Sequence, residues 1–213
     1  MADKKVTYPA TLEIDYPGKM DRLSTFFRLL WAIPIMIIVG LVESSAVETY
    51  TNEAGATISE NTGGIAAGLF GATVLMILFR QRYPLWWFNF NLELNRFSAR
   101  VMAYVGLLTD KYPSAEDEQS VHLDIKYPDV KKDLNRWLPL VKWFLAIPHY
   151  AVLIVLIIGA IISTIIAWFA ILFTGKYPKN LFDYVVGVSR WCLRVGAYAF
   201  LLTTDKYPPF TLE

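Results

Sequence analysis

The residues best placed to do chemistry form two similar sets. Asn89, Glu93, Arg96 and Arg100 are spaced four, three and four apart, which puts them on one helical face. Asp183, Arg190 and Arg194 are spaced seven and four apart and share a face in the same way. A carboxylate beside two guanidinium groups could hold a phosphate and act on a lipid headgroup, with Glu93 or Asp183 in the acid–base role. The competing reading is pairing within the protein, Glu93 with Arg96 or Arg100 for example. His149 could ligate a haem or a chlorophyll-type pigment, and His122 is the only other histidine. Cys192 is the single cysteine and reads as an apolar filler, so no intrachain disulfide or cysteine metal cluster is expected. No glycine-rich phosphate loop, Ser/His/Asp set or metal-ligand spacing occurs. No catalytic residue, metal or cofactor is therefore expected.

The elements that position these sets occur twice. Ile14-Asp15-Tyr16-Pro17 returns as Ile125-Lys126-Tyr127-Pro128, and Ala32-Ile33-Pro34 returns as Ala146-Ile147-Pro148. Arg96, Arg100-Val101 and Ala103-Tyr104 return as Arg190, Arg194-Val195 and Ala197-Tyr198. Leu107-Leu108-Thr109 and Asp110-Lys111-Tyr112-Pro113 return as Leu201-Leu202-Thr203 and Asp205-Lys206-Tyr207-Pro208. A repeat of this length decides the architecture before any single motif does. It also weakens the histidine reading. Ile35 stands where the second copy has His149, so no bis-histidine site is available.

The chain of 213 residues is 55% hydrophobic and 18% charged, and its mean hydropathy is +0.38. This fits a small integral membrane protein better than a soluble domain. Segments 26–42 and 63–79 are each about 26 Å long as helices, at the short end of what crosses a bilayer. Residues 141–173 hold one charge, Lys142, and would extend about 50 Å as a single helix. A turn near Gly159 to Ser163 is expected to fold them into a second hairpin. The offset between the copies falls from 114 at Ala32/Ala146 to 94 at Tyr83/Tyr177, and the polar stretch Glu43–Thr62 is the natural site of that insertion. This stretch holds Glu43, Glu48, Glu53 and Glu60 and neither Lys nor Arg. Positive residues stay inside. Both termini and the middle linker are thus expected in the cytoplasm, with the acidic loop outside. The polar start, with Asp3, Lys4 and Lys5, predicts no signal peptide.

Residues 86–108 and 181–202 could span, but charges at mid-bilayer cost about 2.5–3.5 kcal/mol each. They are read as amphipathic helices in the cytoplasmic interface. Alternation at Tyr8, Ala10, Leu12, Ile14 and Tyr16, and at Val121, Leu123, Ile125 and Tyr127, predicts one strand per copy. These strands could pair across a pseudo-twofold axis. Phe210-Thr211-Leu212 could add a third.

Seven of the eleven prolines follow tyrosine, and five of those tyrosines follow Lys or Arg. Lys111, Lys176 and Lys206, together with Arg96, Arg100, Arg190 and Arg194, are the candidate contacts to lipid headgroups or a partner. The plainer and preferred reading of the Tyr-Pro pairs is punctuation at element ends. Small residues at Gly64, Gly68 and at Gly159, Ser163, Ala167 permit close helix contact. Pro34 and Pro148 read as kinks at the membrane boundary.

Arg136-Trp137, Ala146-Ile147-Pro148-His149-Tyr150, Phe173-Thr174-Gly175-Lys176-Tyr177-Pro178 and Asp205-Lys206-Tyr207-Pro208-Pro209-Phe210 resemble a prokaryotic membrane family, the domain-of-unknown-function family forty-three eighty-nine. The first half resembles it as a diverged copy, with Ile35-Met36 in place of His-Tyr and Arg80-Gln81-Arg82 in place of Thr-Gly-Lys. The resemblance implies a membrane protein of a bacterium or archaeon and no particular activity.

The expected fold is a mainly α membrane protein of two tandem transmembrane helical hairpins, with interfacial amphipathic helices and a small cytoplasmic β-sheet. The first repeat is 1–113 (hairpin 26–42/63–79, helix 86–108). The second is 114–213 (hairpin 137–158/162–175, helix 181–202). The expected function is non-enzymatic: an accessory or scaffold subunit in the inner membrane, multi-pass, with lipids, other subunits or a second copy as partners and no nucleic acid. A carrier of lipid or a small apolar molecule between the hairpins, and a lipid-acting enzyme, are the alternatives. A lipid-sized cavity lined by both halves would favour the carrier. A cleft joining Glu93 or Asp183 to the arginines would favour the enzyme.

Overall fold

In the computed structural model, residues 8–43, 46–51, 57–62, 65–117 and 119–213 are described. The N-terminal Asp3, Lys4 and Lys5, Glu53 of the acidic loop and Gly64 of the small-residue motif lie outside them. The fold is mainly helical, with a small two-stranded antiparallel sheet of β1 (Ala10–Ile14) and β4 (Val121–Ile125). The alternating residues Ala10, Leu12, Val121, Leu123 and Ile125 turn inward and are buried, as a half-covered strand requires. Leu12 faces Leu123 at the centre of the register, with Ala10 opposite Ile125 and Ile14 opposite Val121. The two expected strands therefore pair with each other, about a pseudo-twofold axis through the Leu12/Leu123 pair. The bonds beyond the strand ends repeat in kind: Asp15 N–H donates to Ser120 O and Lys126 N–H to Pro9 O.

Beneath the sheet run α4 (Leu85–Val105) and α8 (Lys179–Ala199). The halves exchange strands: Leu123 of β4 is bonded by Arg96 of α4, and Leu12 of β1 by Arg190 of α8. Neither half is a closed unit. The helix α8 was expected at the membrane interface, yet it is an internal layer. Phe182, Val185, Val186, Val188, Trp191, Arg194, Val195 and Tyr198 are all buried, because β1 covers one side and the preceding long helix, Ile147–Thr174, the other. No third strand forms at Phe210-Thr211-Leu212, which runs as an irregular tail.

The largest departure from expectation concerns the second hairpin. After α5 (Val130–Asp133), a 3₁₀ turn (Leu138–Leu140) and α6 (Lys142–Leu145), residues Ile147–Thr174 form one uninterrupted helix, α7. There is no turn at Gly159–Ser163. One glycine in a run of Ile, Val and Leu does not break a helix, and Gly159 serves packing instead. A Cβ there would lie 2.5 Å from the Tyr184 hydroxyl, which donates to Leu156 O at 3.0 Å. Pro148 sits in the first turn of α7, where it starts the helix rather than kinking it.

In the first half, after α1 (Arg22–Phe26), the counterpart is split. Helix α2 (Arg28–Glu43) leads to strands β2 (Ala46–Thr51) and β3 (Thr57–Thr62), then α3 (Ile65–Leu75) ending in a π-turn (Met76–Arg80). At the offsets of 114 and 94, residues 34–43 and 65–80 map onto 148–157 and 159–174, leaving only Ile158 between them. The insertion thus falls at the midpoint of what is one helix in the second half. The acidic stretch expected as a loop is a β-hairpin, with Glu48 opposite Glu60; Val47, Thr49, Tyr50, Thr57 and Ile58 favour strand. Both long helices end on a left-handed residue at the same offset, Gln81 (φ 44°) and Gly175 (φ 71°).

Each apolar segment opens on a buried cation, and both cations are paired in the same way. Arg28 contacts the Asp110 carboxylate, donates to Thr109 O at 2.5 Å and lies 4.4 Å from the Tyr104 ring centre. Lys142 contacts Asp205 at 2.7 Å, donates to Thr204 O at 2.8 Å and lies 5.3 Å from the Tyr198 ring centre. Each aspartate also accepts a backbone N–H, from Asp21 at 2.9 Å and from Asn135 at 2.5 Å. Positive φ at Leu107 (61°) and Leu202 (56°) turns the chain into each aspartate. The sequence match here shifts by one residue: Thr109 corresponds to Thr204, not Thr203, since each bonds the lysine N–H two residues on.

Removing one partner of a buried pair strands the other charge, at about 3 kcal/mol or more. Asp110→Ala and Asp205→Ala should each lower the melting temperature of the detergent-solubilised chain strongly. Lys142→Met combined with Asp205→Leu should recover most of the loss. Full stability of the single variants by calorimetry would contradict the role given to these pairs.

Candidate functional site

The four arginines of the two helical faces are turned towards the protein's own main chain. Arg96 donates from Nε to Leu123 O at 2.9 Å, and Arg190 from Nε to Leu12 O at 3.0 Å. Arg190 also donates to Leu212 O at 3.1 Å. Arg100 donates to Ser114 O at 2.9 Å and Ala115 O at 3.3 Å, and Arg194 to Thr211 O at 3.2 Å. Arg100 and Arg194 are buried. These charge-assisted bonds tie strands and tails to the helices. The pairing of Arg96 with Glu93, at 2.7 Å, is the internal ion pair that the spacing offered as its second reading. Asp124 stands 3.5 Å from the same guanidinium.

Lys111, Lys176 and Lys206 are exposed. The tyrosines of the Tyr-Pro pairs mostly bond main chain. Tyr16 donates to Tyr177 O and Tyr127 to Tyr83 O, both at 2.5 Å and both across the two halves. Tyr207 donates to Leu145 O at 3.2 Å, and Tyr83 to Leu201 O at 3.3 Å. Burial pushes the Tyr83 and Tyr177 hydroxyls up to about 12, so both stay protonated at neutral pH. The Tyr-Pro pairs are therefore joints between elements.

His149 is enclosed. Its Nδ1 accepts from Trp191 Nε1 at 3.1 Å, which leaves the ring proton on Nε2. Phe210 stacks on it at 4.0 Å between centroids, and Tyr207 lies at 4.8 Å. The ring is fully buried, so no face is open to a haem or pigment. Cys192 is half-buried, and burial pushes its thiol up, away from the reactive thiolate. Among the described residues no group of three or more His, Cys, Asp or Glu could hold a metal ion.

Glu93, Arg96 and Arg100 do share a groove, of about 570 Å³, with Glu13, Glu116 and Asp124. Asp183 is exposed and not part of it. The guanidinium donors facing this groove already serve Leu123, Ser114 and Ala115, so the cleft sought for an enzyme is lined by groups engaged in holding the fold.

The most distinctive surface is apolar. Helix α7 buries a narrow stripe, His149, Leu153, Ser163, Ala167 and Ile171, against the body. The stripe is about 33 Å long at 1.5 Å per residue. The side away from the body is open: Val155 is 68% exposed, Ile154 60%, Ile161 55% and Phe173 78%. Leu29, Leu30, Trp31, Ile33, Met36 and Ile37 of α2 are exposed as well. Among the described residues α7 is the one helix long and apolar enough to cross a membrane, with only 17% of its most apolar window buried.

Residues 137–211 match the model of a family described as Domain of unknown function (DUF4389). No curated protein and no solved structure matches the chain. The matched stretch holds Lys142, His149, α7, α8 and Asp205, all within the second half.

What sequence reasoning missed was the carboxylate partner of each lone cation. Arg28 and Lys142 stand out as single charges in apolar runs, and Asp110 and Asp205 repeat with them, which was signal enough to pair them.

If the arginines tie the sheet, Arg96→Ala and Arg190→Ala should each cost about 1.5–3 kcal/mol, the value of a hydrogen bond to a charged group. Hydrogen exchange at the amides of β1 and β4 should speed up, with vesicle binding unchanged. Unaltered exchange together with lost vesicle binding would return these residues to headgroup contact.

Proposed function

We propose that the chain is a non-enzymatic protein of the cytoplasmic membrane of a prokaryote. It acts as an accessory or scaffold subunit that rests an apolar layer in lipid and offers its sheet-bearing face to other proteins. The observation that carries this reading is the uncovered face of α7. Exposed apolar patches on soluble monomers rarely exceed a few hundred Å², and α7 presents Ile, Val and Phe along its whole outer side. Residues 8–113 are, in this reading, a diverged copy of the unit matched at 137–211.

The arrangement of α7 also bears on sidedness. Lys131 and Lys132 precede it and Lys176 and Lys179 follow it, all exposed. The positive-inside rule puts both groups in the cytoplasm. One uninterrupted helix with both ends on the same side does not cross. It lies in the plane of the inner leaflet, with the body above it along the buried stripe. The first half is read as the part that crosses, out along α2 and back along α3 with its π-turn, which at about 24 Å each are shorter than α7 and draw the bilayer thinner around them, with the β2–β3 hairpin at the outer surface. In this reading one embedded helix stands where a second crossing hairpin was expected.

Single cysteines introduced into a Cys192→Ala background test this in membrane vesicles. Lys131→Cys and Lys176→Cys should react with an impermeant maleimide from the cytoplasmic side only, and Glu48→Cys from the outer side only. Labelling of positions 131 and 176 from opposite sides would show that α7 crosses. Recovery of the chain in the supernatant after alkaline extraction would end the membrane reading altogether.

A further inference from the structure

A half-open cavity of about 540 Å³ lies between α3, α4 and the end of α8, within the size range of small-molecule sites. It lies beside α4 rather than between the expected hairpins, since no described residue of α2 or α7 lines it and the end of α8 closes one side. Phe70, Leu94 and Phe200 supply apolar surface, and Asn91, Asn95 and Tyr83 supply polar groups. No Asp, Glu, Lys, Arg or His takes part. The amides are fixed in place: Asn91 Nδ2 donates to the Tyr83 hydroxyl at 3.3 Å, and Asn95 Nδ2 to Asn91 O at 2.7 Å. Among the described residues neither side-chain carbonyl oxygen accepts a hydrogen bond. Asn91 is 7% exposed, and both asparagines border the cavity.

The second half does without these groups. At the offset of 94, Asn91, Asn95 and Thr73 correspond to Val185, Ser189 and Ala167. Val185 and Ala167 belong to the packed core. The same helix pair is therefore closed and apolar in one half, and open and lined by amides in the other. Neither helix propensity nor packing explains two asparagines here, since both are poor helix formers.

We propose that this cavity binds one uncharged single-chain amphiphile. Its hydroxyl head donates to the side-chain carbonyls of Asn91 and Asn95, and its hydrocarbon chain lies on Phe70, Leu94 and Phe200. The site stands on its own geometry. Only the source of the ligand, the surrounding hydrocarbon, rests on the membrane reading.

The probe is glycerol monooleate, compared with oleate and oleoyl lysophosphatidylcholine, which share its chain but carry charge. Native mass spectrometry of the full chain released from detergent should show one monoolein bound, at an occupancy about tenfold above either comparator. Asn91→Val, which installs the residue of the second half, and Leu94→Trp, which fills the cavity, should each cut that occupancy about tenfold. Their melting temperatures are measured alongside, and a variant that fails to fold leaves the other to decide. Equal retention of the three probes, or wild-type occupancy in a folded variant of either kind, would overturn the site. Because the readout is made in detergent, a chain that proved not to insert in membranes would still give it, so the two readings fail separately.

Discussion

The fold turns on the closure of a sheet only two strands wide. Such a pair is marginal in water by itself. Here Leu12 and Leu123 meet at its centre, and each strand is held by a guanidinium from the other half of the chain. The exchange makes the two halves interdependent. A half alone would keep its arginine without the carbonyl it serves, and its strand without a partner. The crossed bonds of Tyr16 to Tyr177 and Tyr127 to Tyr83 follow the same rule at the strand exits. Position after position, a polar group of one half completes the main chain of the other.

The apolar layer obeys a second constraint, that a charge buried near it must be neutralised. Arg28 and Lys142 are nearly or wholly inaccessible, and each meets an aspartate, a threonine carbonyl and a tyrosine face. Arginine and lysine fill the same socket because the socket supplies both point charge and carbonyl oxygens. The left-handed leucines before each aspartate are the local strain that brings the carboxylate into reach. These joints anchor the starts of the long helices to the ends of α4 and α8, and so hold the apolar layer against the rest.

The strands were legible because alternation over five residues leaves little choice of structure, and the same periodicity carried their mutual pairing. The helical faces of α4 and α8 were legible too, within three residues at their ends. What those faces meet was not. Spacing shows that Arg96 and Arg100 lie together, but a carbonyl oxygen carries no mark in a sequence, so main-chain acceptors were invisible while phosphate remained conceivable. The continuity of α7 was hidden for another reason. A run of thirty-three residues with a single charge exceeds one bilayer thickness, and that length argued for a fold-back. The helix resolves the excess differently, by lying along α8 with Gly159 under the Tyr184 hydroxyl.

The insertion at the midpoint of the first long helix ties the remaining asymmetries together. A continuous helix such as α7 presents one unbroken stripe to its neighbour, and Ala167 and Ile171 pack there without a gap. Cutting its counterpart after Glu43 and resuming it at Ile65 frees α3 from the register that continuity would impose. The wall of α3 opposite α4 is then closed by contacts of its own, Thr73 with Trp87 at 2.9 Å and Phe70 beside Phe200 at 6.1 Å. The cavity is lined by Thr73, Phe70 and Phe200 from these contacts and by Asn91 and Asn95, where the second half has Val185 and Ser189. The β-hairpin and most of the cavity's lining both fall within residues 8–113, outside the matched stretch 137–211.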